Sequence, residues 1–352
     1  MNVYWDVQQN MMQNQSTWLI TGVAGFIGSN LLEALLRLNQ KIIGLDNFCT
    51  GTKSNLEEVA RKFPQQFQAN FKLIEGDICS AEDCERVMDG VDFILHHAAA
   101  VSVPLSIQFP EHTNAVNVSG FINILNAAKK AGVKRLVYAS SSAVYGDSPI
   151  AKKNEGCGLA PLSPYAVSKY ANELYAKSFG VCLGLEAIGL RYFNIYGPKQ
   201  NPKGEYAAVI PLWIDSILKG KPVYVFGDGS SCRDFCYIDD VVQANLLAAL
   251  TTKSSALNQV YNIGCGMEIT LTQLLNYLQE TMEEKFEVTY QEFRTGDIKI
   301  SSADISSAMR NLGFVPATPP KEGLIKTINY YKEQNKSFEL RAEEKRVLES
   351  AS

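Results

Sequence analysis

The stretch TWLITGVAGFIGSNLLEALL, residues 17–36, decides the fold. Thr17 to Thr21 is β-branched and apolar and stops at glycine, the pattern of a buried strand. From Phe26 onward apolar residues recur at Ile27, Leu31, Leu35 and Leu38, the period of a helix. Between the two, Gly22, Gly25 and Gly28 form G-x-x-G-x-x-G. Glycine lets the chain turn tightly and approach a pyrophosphate closely, and the free amides at the helix start hold the anion. Asp46 closes the next apolar run, KIIGLD, 18 residues after Gly28. A carboxylate there accepts hydrogen bonds from a ribose diol and repels a 2′-phosphate, which favours NAD over NADP. Three glycines alone also suit an ordinary βα turn. The strand before them, the helix behind them and Asp46 beyond select the dinucleotide reading.

Outward from this unit, strand patterns fall at 17–21, 41–46, 71–75, 92–96, 135–139 and 186–191, and helical patterns near 26–38, 81–88, 112–131 and 163–180. Alternation of the two, with near-continuous apolar strands, implies an α/β Rossmann fold: a doubly wound parallel sheet with the ligand at the carboxyl ends of its strands. After about 197 the run YGPKQNPKGEY is loop chemistry, and short mixed elements follow. The expected organisation is a polar extension (1–16), an NAD-binding domain (17–196), a smaller mixed α/β substrate domain (197–335) and a charged tail (336–352). The substrate domain packs on the first, with the chain free to cross back.

The chain has 352 residues, 46% of them hydrophobic, which is ample for a core. A formal charge of −4 gives no case for nucleic acid or an anionic membrane. No apolar run approaches the ~20 residues of a membrane span. The start, MNVYWDVQQNMMQNQ, lacks the pattern of a secretory signal, so a cytoplasmic location is expected. The eight cysteines show no C-x-x-C pair and read as reduced thiols. His96 and His97 are adjacent on a predicted strand and so point to opposite faces, against a shared metal.

Tyr165 and Lys169 stand as Y-x-x-x-K in LSPYAVSKYANELYAKSF, with Ser163-Pro164 marking the helix start. Spacing of i, i+4 puts phenol and ammonium on one helix face. A tyrosine near pKa ~10 is a poor base at neutral pH. A neighbouring ammonium and an oxidised nicotinamide both favour phenolate. The pair can then take a proton from a sugar hydroxyl while hydride leaves the carbon. Ser141 and Ser142 end another predicted strand at the same sheet edge and could bond the reacting oxygen. Y-x-x-x-K is common on ordinary surface helices; its context after a dinucleotide motif gives it weight.

These residues together resemble the extended short-chain dehydrogenases/reductases that act on nucleotide sugars. The likeness runs from about 17 to 335. It rests on the glycine run, Asp46-Asn47-Phe48 with Thr50-Gly51, Gly76-Asp77-Ile78, His97-Ala98-Ala99, Asn117-Val118-x-Gly120, Tyr165-x-x-x-Lys169 and Arg191-Tyr192-Phe193-Asn194-x-Tyr196-Gly197. Within the family, GLDNF-x-TG, the YAAVIPLW run and GDG-x-x-x-RDFCYI are most similar to bacterial UDP-N-acetylglucosamine 4-epimerases, which supply surface polysaccharide such as O-antigen. The resemblance implies NAD held by Gly22, Gly25, Phe26, Ile27, Gly28, Phe48, Gly51, His97, Ala98, Ala99, Asn117, Tyr165, Lys169 and Tyr192. Asp77 and Ile78 would lie near the adenine, and Asp46, Asn47 and Thr50 near its ribose. It implies a UDP-N-acetylhexosamine held by Ser102, Val103, Ser141, Ser142, Tyr165, Asn194, Ala208, Val209, Tyr224, Arg233, Arg294, Asp297 and Ser301, with no metal. A homodimer through a four-helix bundle also follows from it.

In such epimerases hydride leaves carbon 4 of the sugar for NAD, the 4-keto sugar turns about its diphosphate link, and hydride returns to the opposite face. Arginines grip phosphate bidentately. On bare sequence, Arg233-Asp234 also reads as a surface ion pair and Asn194 as a turn residue. Two departures stand out. Lys299-Ile300 replaces the basic residue and histidine of many relatives. Ser301 takes the place of a large tyrosine in relatives restricted to non-acetylated sugars, leaving room at carbon 2. The alternatives are a UDP-glucose or UDP-glucuronate 4-epimerase, a sugar-nucleotide dehydratase or decarboxylase, or an NAD-binding regulatory protein without turnover. Dehydratases carry an acidic pair where this chain has Ser141-Ser142-Ala143, and a regulatory relative would be expected to lose Tyr165 or Lys169.

Overall fold

The computed structural model describes residues 3–203, 208–283, 285–293 and 300–350, with side chains through 335. Seven parallel strands form the central sheet: β1 (Thr17–Thr21), β2 (Lys41–Asp46), β3 (Phe71–Glu75), β4 (Phe93–His96), β5 (Arg135–Ser141), β6 (Ala187–Tyr192) and β7 (Val260–Ile263). Their spatial order is β7-β6-β5-β4-β1-β2-β3. The order reverses beside β1, and the cleft opens there, at the strands' carboxyl ends.

Period-two alternation divides the core into two layers. Trp18 and Ile20 of β1, Phe93 and Leu95 of β4, and Ile188 and Leu190 of β6 face one side, against Leu31, Leu32 and Leu35 of the helix Phe26–Arg37 and against the helix Ile238–Leu250. Leu19, Ile94, Leu136 and Tyr138 face the other, against Phe121, Ile124 and Leu125 of the helix Gly120–Ala131. Burying strands on both faces is what made them read as continuous apolar runs. The edge strand β3 is the exception, with Leu73 exposed.

The later part of the chain adds to the central sheet. After residue 197 it contributes both the helix Ile238–Leu250 and β7, which pairs with β6 from Val260↔Gly189 to Ile263↔Tyr192. A mixed sheet of four short strands joins three from the carboxyl half to one from residues 152–153, in the order Ile269–Thr270, Cys232–Arg233, Ile300–Ala303, Lys152–Lys153. Two further pairs join Asn194–Tyr196 to Phe235–Tyr237 and Val223–Phe226 to Val288–Gln291.

Three local features depart from expectation. Residues 1–16 contain a helix, Val3–Gln13, docked on the core through buried Met11. Buried Gln40 clamps its end, donating to the carbonyls of Met11 (2.8 Å) and Leu38 (2.9 Å). The helix expected at 112–131 is broken into Pro110–Asn114, a π-helical turn at Ala115–Ser119, and Gly120–Ala131. The charged tail continues a helix that begins at Pro320, whose carbonyl accepts from the Tyr196 hydroxyl (2.8 Å). Among the described residues no helix is long and apolar enough to cross a membrane.

Candidate active site

Six of the seven strands deliver residues to one cavity of about 890 Å³. At the end of β1, Gly22 takes φ +70° and its N–H donates to the Leu45 carbonyl (2.8 Å). A Cβ on Gly28 would lie 2.1 Å from the Gly22 oxygen, and one on Gly22 would lie 2.8 Å from the Ala98 nitrogen. Only glycine allows this turn, which packs the helix start against the strand and leaves a cradle shaped for a pyrophosphate. Gly25, Phe26 and Ile27 complete that wall.

Asp46, at the end of β2, is buried. Its Oδ2 accepts from the Ala24 N–H and its Oδ1 from the Phe48 N–H, both at 2.8 Å. It therefore ties the glycine turn to the loop that follows β2. Each oxygen keeps a second lone pair for a ribose hydroxyl. Asn47, Thr50 and Gly51 line the same end of the cavity. Phe48 does not. It packs on the core, and Lys53 sits 5.2 Å from its ring centroid. From the end of β3 come Asp77 and Ile78. Burial alone would raise the Asp77 carboxyl, but hydrogen bonds from the Cys79 N–H and from Asn47 (2.9 Å) hold it below its usual range.

After β4, His97, Ala98 and Ala99 line the cavity. His97 stacks on Tyr192 with centroids 6.0 Å apart, and its Nε2 lies 3.2 Å from Asn245 Oδ1. Burial lowers its pKa to about 3, so the ring is neutral. His96 points to the opposite face, Nδ1 2.8 Å from Thr21 Oγ1. Asn117, in the π-helical turn, does not line the cavity. It brackets the loop after β4 by accepting from the Ala100 N–H (2.7 Å) and donating to its carbonyl (2.9 Å), and it contacts Ser168 at 2.9 Å. π-Helical turns of this kind recur at functional sites.

Ser163 caps the helix Pro164–Leu183, its hydroxyl accepting from the Ala166 N–H (3.2 Å). That helix carries Tyr165 and Lys169 to the cavity beside Ser141 and Ser142. Lys169 is buried, 5.9 Å from the Tyr165 ring centroid, and donates to the Ala139 carbonyl (3.1 Å). Desolvation lowers its pKa to about 8. Burial pushes the Tyr165 phenol up, and its hydrogen bond with Ser141 pulls it down. The arrangement can hold a proton on the phenol and release it when a further positive charge enters the cavity.

On the far wall the cavity includes Asn194 and Ser102. Val103 stands just outside, in the exposed first turn of Val103–Gln108. Ala208, Val209, Tyr224, Arg233 and Ser301 do not line this cavity. Ala208 caps the helix Val209–Leu218, and Arg233 pairs in register with Ser301. Arg294, Asp297 and Lys299 lie outside the described residues. Sequence reasoning missed Ser140, Phe193 and Gln200, which also line the cavity. It missed Asn245 too. Two polar residues, Gln243 and Asn245, inside the otherwise apolar run VVQANLLAAL were the available signal.

Comparison with known proteins places this geometry. The model of the NAD dependent epimerase/dehydratase family matches residues 18–264. A UDP-glucose 4-epimerase of Mycolicibacterium smegmatis is 33% identical over 321 residues, 91% of this chain and 99% of that protein. A UDP-glucuronate 4-epimerase of Thermodesulfobacterium geofontis is 33% identical, covering 90% and 96%. The solved structure of a UDP-N-acetylglucosamine 4-epimerase from Methanobrevibacter ruminantium, in complex with UDP-N-acetylmuramic acid, superposes with a TM-score of 0.85 at 34% identity, over 91% of this chain and 99% of that one.

Proposed function

We propose that this chain, which belongs to the NAD dependent epimerase/dehydratase family, interconverts UDP-N-acetylglucosamine and UDP-N-acetylgalactosamine by epimerisation at carbon 4. The observation that carries the reaction is the meeting of Tyr165, Lys169 and Ser141 with the glycine cradle and Asp46 in one cavity. What NAD supplies when bound is reversible acceptance of hydride from carbon 4, with no net oxidation.

The side chains do the rest. Tyr165 takes the proton of the 4-hydroxyl as phenolate and gives it back after the sugar has turned. Lys169, held on the Ala139 carbonyl, keeps a positive charge beside the ring and favours that phenolate. Ser141, bonded to the phenol, relays the proton. Ser142, beside it in the cavity, offers a second hydroxyl. Asn194 and Arg233, with Tyr224 and the segment at Ala208–Val209, would grip the nucleotide and leave the sugar free to turn. Remote binding of this kind anchors a substrate whose reacting part must move. The acetylated sugar is supported by Ser301, a small residue paired in register with Arg233.

Two monomers would associate through the helix Pro164–Leu183. Val167, Leu174 and Val181 recur every seventh residue and are 52%, 53% and 79% exposed. A stripe of that period seeks a partner helix. Leu174→Glu should give a monomer of 38.9 kDa by light scattering where the parent gives a dimer; a parent that is already monomeric refutes the interface.

The test of function is direct. Purified protein is incubated with UDP-GlcNAc, UDP-Glc and UDP-GlcA, and the products are read by proton NMR. Conversion of UDP-GlcNAc to UDP-GalNAc is expected to be fastest. Conversion confined to UDP-Glc or UDP-GlcA would reassign the sugar within the same chemistry.

A further inference from the structure

Tyr165, Lys169 and Glu173 stand at i, i+4 and i+8 on one helix, and all three face the last three residues of β5. Lys169 donates to the Ala139 carbonyl (3.1 Å). Glu173 Oε1 accepts from Ser140 Oγ (2.5 Å). Tyr165 shares the cavity with Ser141, whose hydroxyl draws the phenol pKa down. Of these rungs only Glu173 carries a buried ion pair. Arg191 Nε donates to Oε1 (2.9 Å) and its Nη2 to Oε2 (2.7 Å), with both side chains 5% exposed.

Arg191 is the register partner of Ser140 on the adjacent strand, and Tyr192, Phe193 and Asn194 run straight from it into the cavity wall. Its Nη1 donates to the Tyr145 hydroxyl (2.8 Å), which donates to Asn262 Oδ1 on β7 (2.7 Å). Glu173 is thus the junction of the catalytic helix, β5 and β6, with β7 reached through Tyr145. Neither Glu173 nor Arg191 lines the cavity. A buried pair of this kind contributes little net stability compared with well-packed apolar residues. What it supplies is direction: four bonds at fixed angles set the height of the helix on the strand. Apolar contact alone tolerates sliding, and a misplacement of about 1 Å in an active site costs on the order of 10²-fold in rate.

We infer that Glu173 is a positioning residue which, through Arg191 and Ser140, fixes the register of the Pro164–Leu183 helix on β5 and so the placement of Tyr165 and Lys169 against Ser141. The charged and titratable groups around the Glu173–Arg191 pair are Lys169 on the same helix, Tyr138 on β5, Tyr145 in the turn after β5, and Glu155 in the segment beyond it.

The experiment compares Glu173→Gln with the charge-neutral double variant Glu173→Gln/Arg191→Met. Bound NAD, thermal stability, kcat, KM and the pH dependence of kcat are measured on each. The single variant removes the carboxylate paired with Arg191 and leaves it the Tyr145 hydroxyl and the less direct charge of Glu155. It should lose about 10²-fold in kcat with KM within about twofold, and its pH profile should move to lower pH, because a less compensated buried cation on the adjacent strand favours phenolate. The double variant should regain stability and the parent pH profile, while kcat stays low because the register is still unset. Should the single variant fail to fold, the double variant alone decides. Parent kcat in the single variant, or kcat recovering together with stability in the double one, overturns the inference. It rests on Tyr165 as the base, and a parent rate in Tyr165→Phe would overturn that premise separately.

Discussion

The sheet wall of the cavity and the carboxyl-terminal wall beside it, whose proposed gripping residues do not line that cavity, are made differently. On the sheet side, β1 to β6 end within reach of one cavity, and their last residues are pinned by short bonds such as Asp46 to Ala24 and Lys169 to Ala139. On the other side, the residues proposed to grip the nucleotide stand on small units. Arg233 ends a strand of two residues and Ser301 sits in one of four. Tyr224 is 47% exposed. One buried carboxylate organises that wall: Asp234 accepts from the N–H groups of Cys265 (2.6 Å), Gly266 (2.9 Å) and Ala303 (3.2 Å). The contrast suits the proposed chemistry. Hydride and proton transfer need fixed groups, whereas a sugar that turns over needs a grip that lies away from the reacting carbon.

If the sheet wall holds the chemistry, the largest effect comes from its base. Tyr165→Phe removes one hydroxyl and should lower kcat by about 10²–10⁴-fold while bound NAD and the circular dichroism spectrum stay as in the parent. A rate within a few-fold of the parent would move the base elsewhere and break the comparison at its strongest point.

Asp46→Ala should act next most strongly, and on a different quantity. Its carboxylate holds the glycine turn and the Phe48 loop in place and carries the charge that disfavours a 2′-phosphate. Purified variant should contain less NAD than the parent and discriminate less against NADP in a binding titration. Unchanged NAD content would mean that the Asp46 bonds seen here serve the loop alone.

How much of each wall could be read from sequence follows the same divide. The sheet wall was legible because buried parallel strands must be apolar on both faces and because glycine is forced where Gly28 meets the Gly22 carbonyl. Six strand patterns coincide with β1–β6 to within about two residues. β7 escaped because VYNI is short and carries Asn262, a buried amide whose partners are Tyr145, Lys153 and Asp304. Glu173 was open to the same i, i+4 reasoning as Lys169, one turn further on. The nucleotide grip proposed for the other wall rests on resemblance alone. Two-residue strands have no period, and nothing in RDFCYI announces that Asp234 is buried under three amides.

Ser301→Tyr probes the nucleotide wall at its sugar end. Bulk beside carbon 2 should depress kcat/KM for UDP-GlcNAc and UDP-GalNAc by about 10–200-fold relative to UDP-Glc and UDP-Gal, the range that a filled or emptied methyl pocket is worth. All four substrates must be measured. Equal losses on both pairs would remove Ser301 as the gate and show that the strand Ile300–Ala303 matters only for folding.

The smallest expected effect concerns Asp234 and separates the two walls by pH. Burial raises its carboxyl from 3.8 to about 6, against the pull of its three N–H partners. Between those values the folded chain keeps a proton that the unfolded chain has released, so the folded state binds more protons. Stability therefore falls as pH climbs through this window, by up to about 1.4 kcal/mol per pH unit, and is level above it. Asp240, raised by burial to about 6 while accepting from Ala317 and Thr318, contributes with the same sign. The informative quantity is therefore the difference between parent and Asp234→Asn. The amide does not titrate, so the variant should lose part of the slope between about pH 4 and pH 6 in urea unfolding. It should also lose about 1–3 kcal/mol at neutral pH, because its NH₂ faces an N–H that the carboxylate had satisfied. KM for the nucleotide sugar should rise as Arg233 and Ser301 loosen, while bound NAD stays at the parent level. A variant that sheds NAD and nucleotide sugar equally would show that the two walls are one cooperative unit.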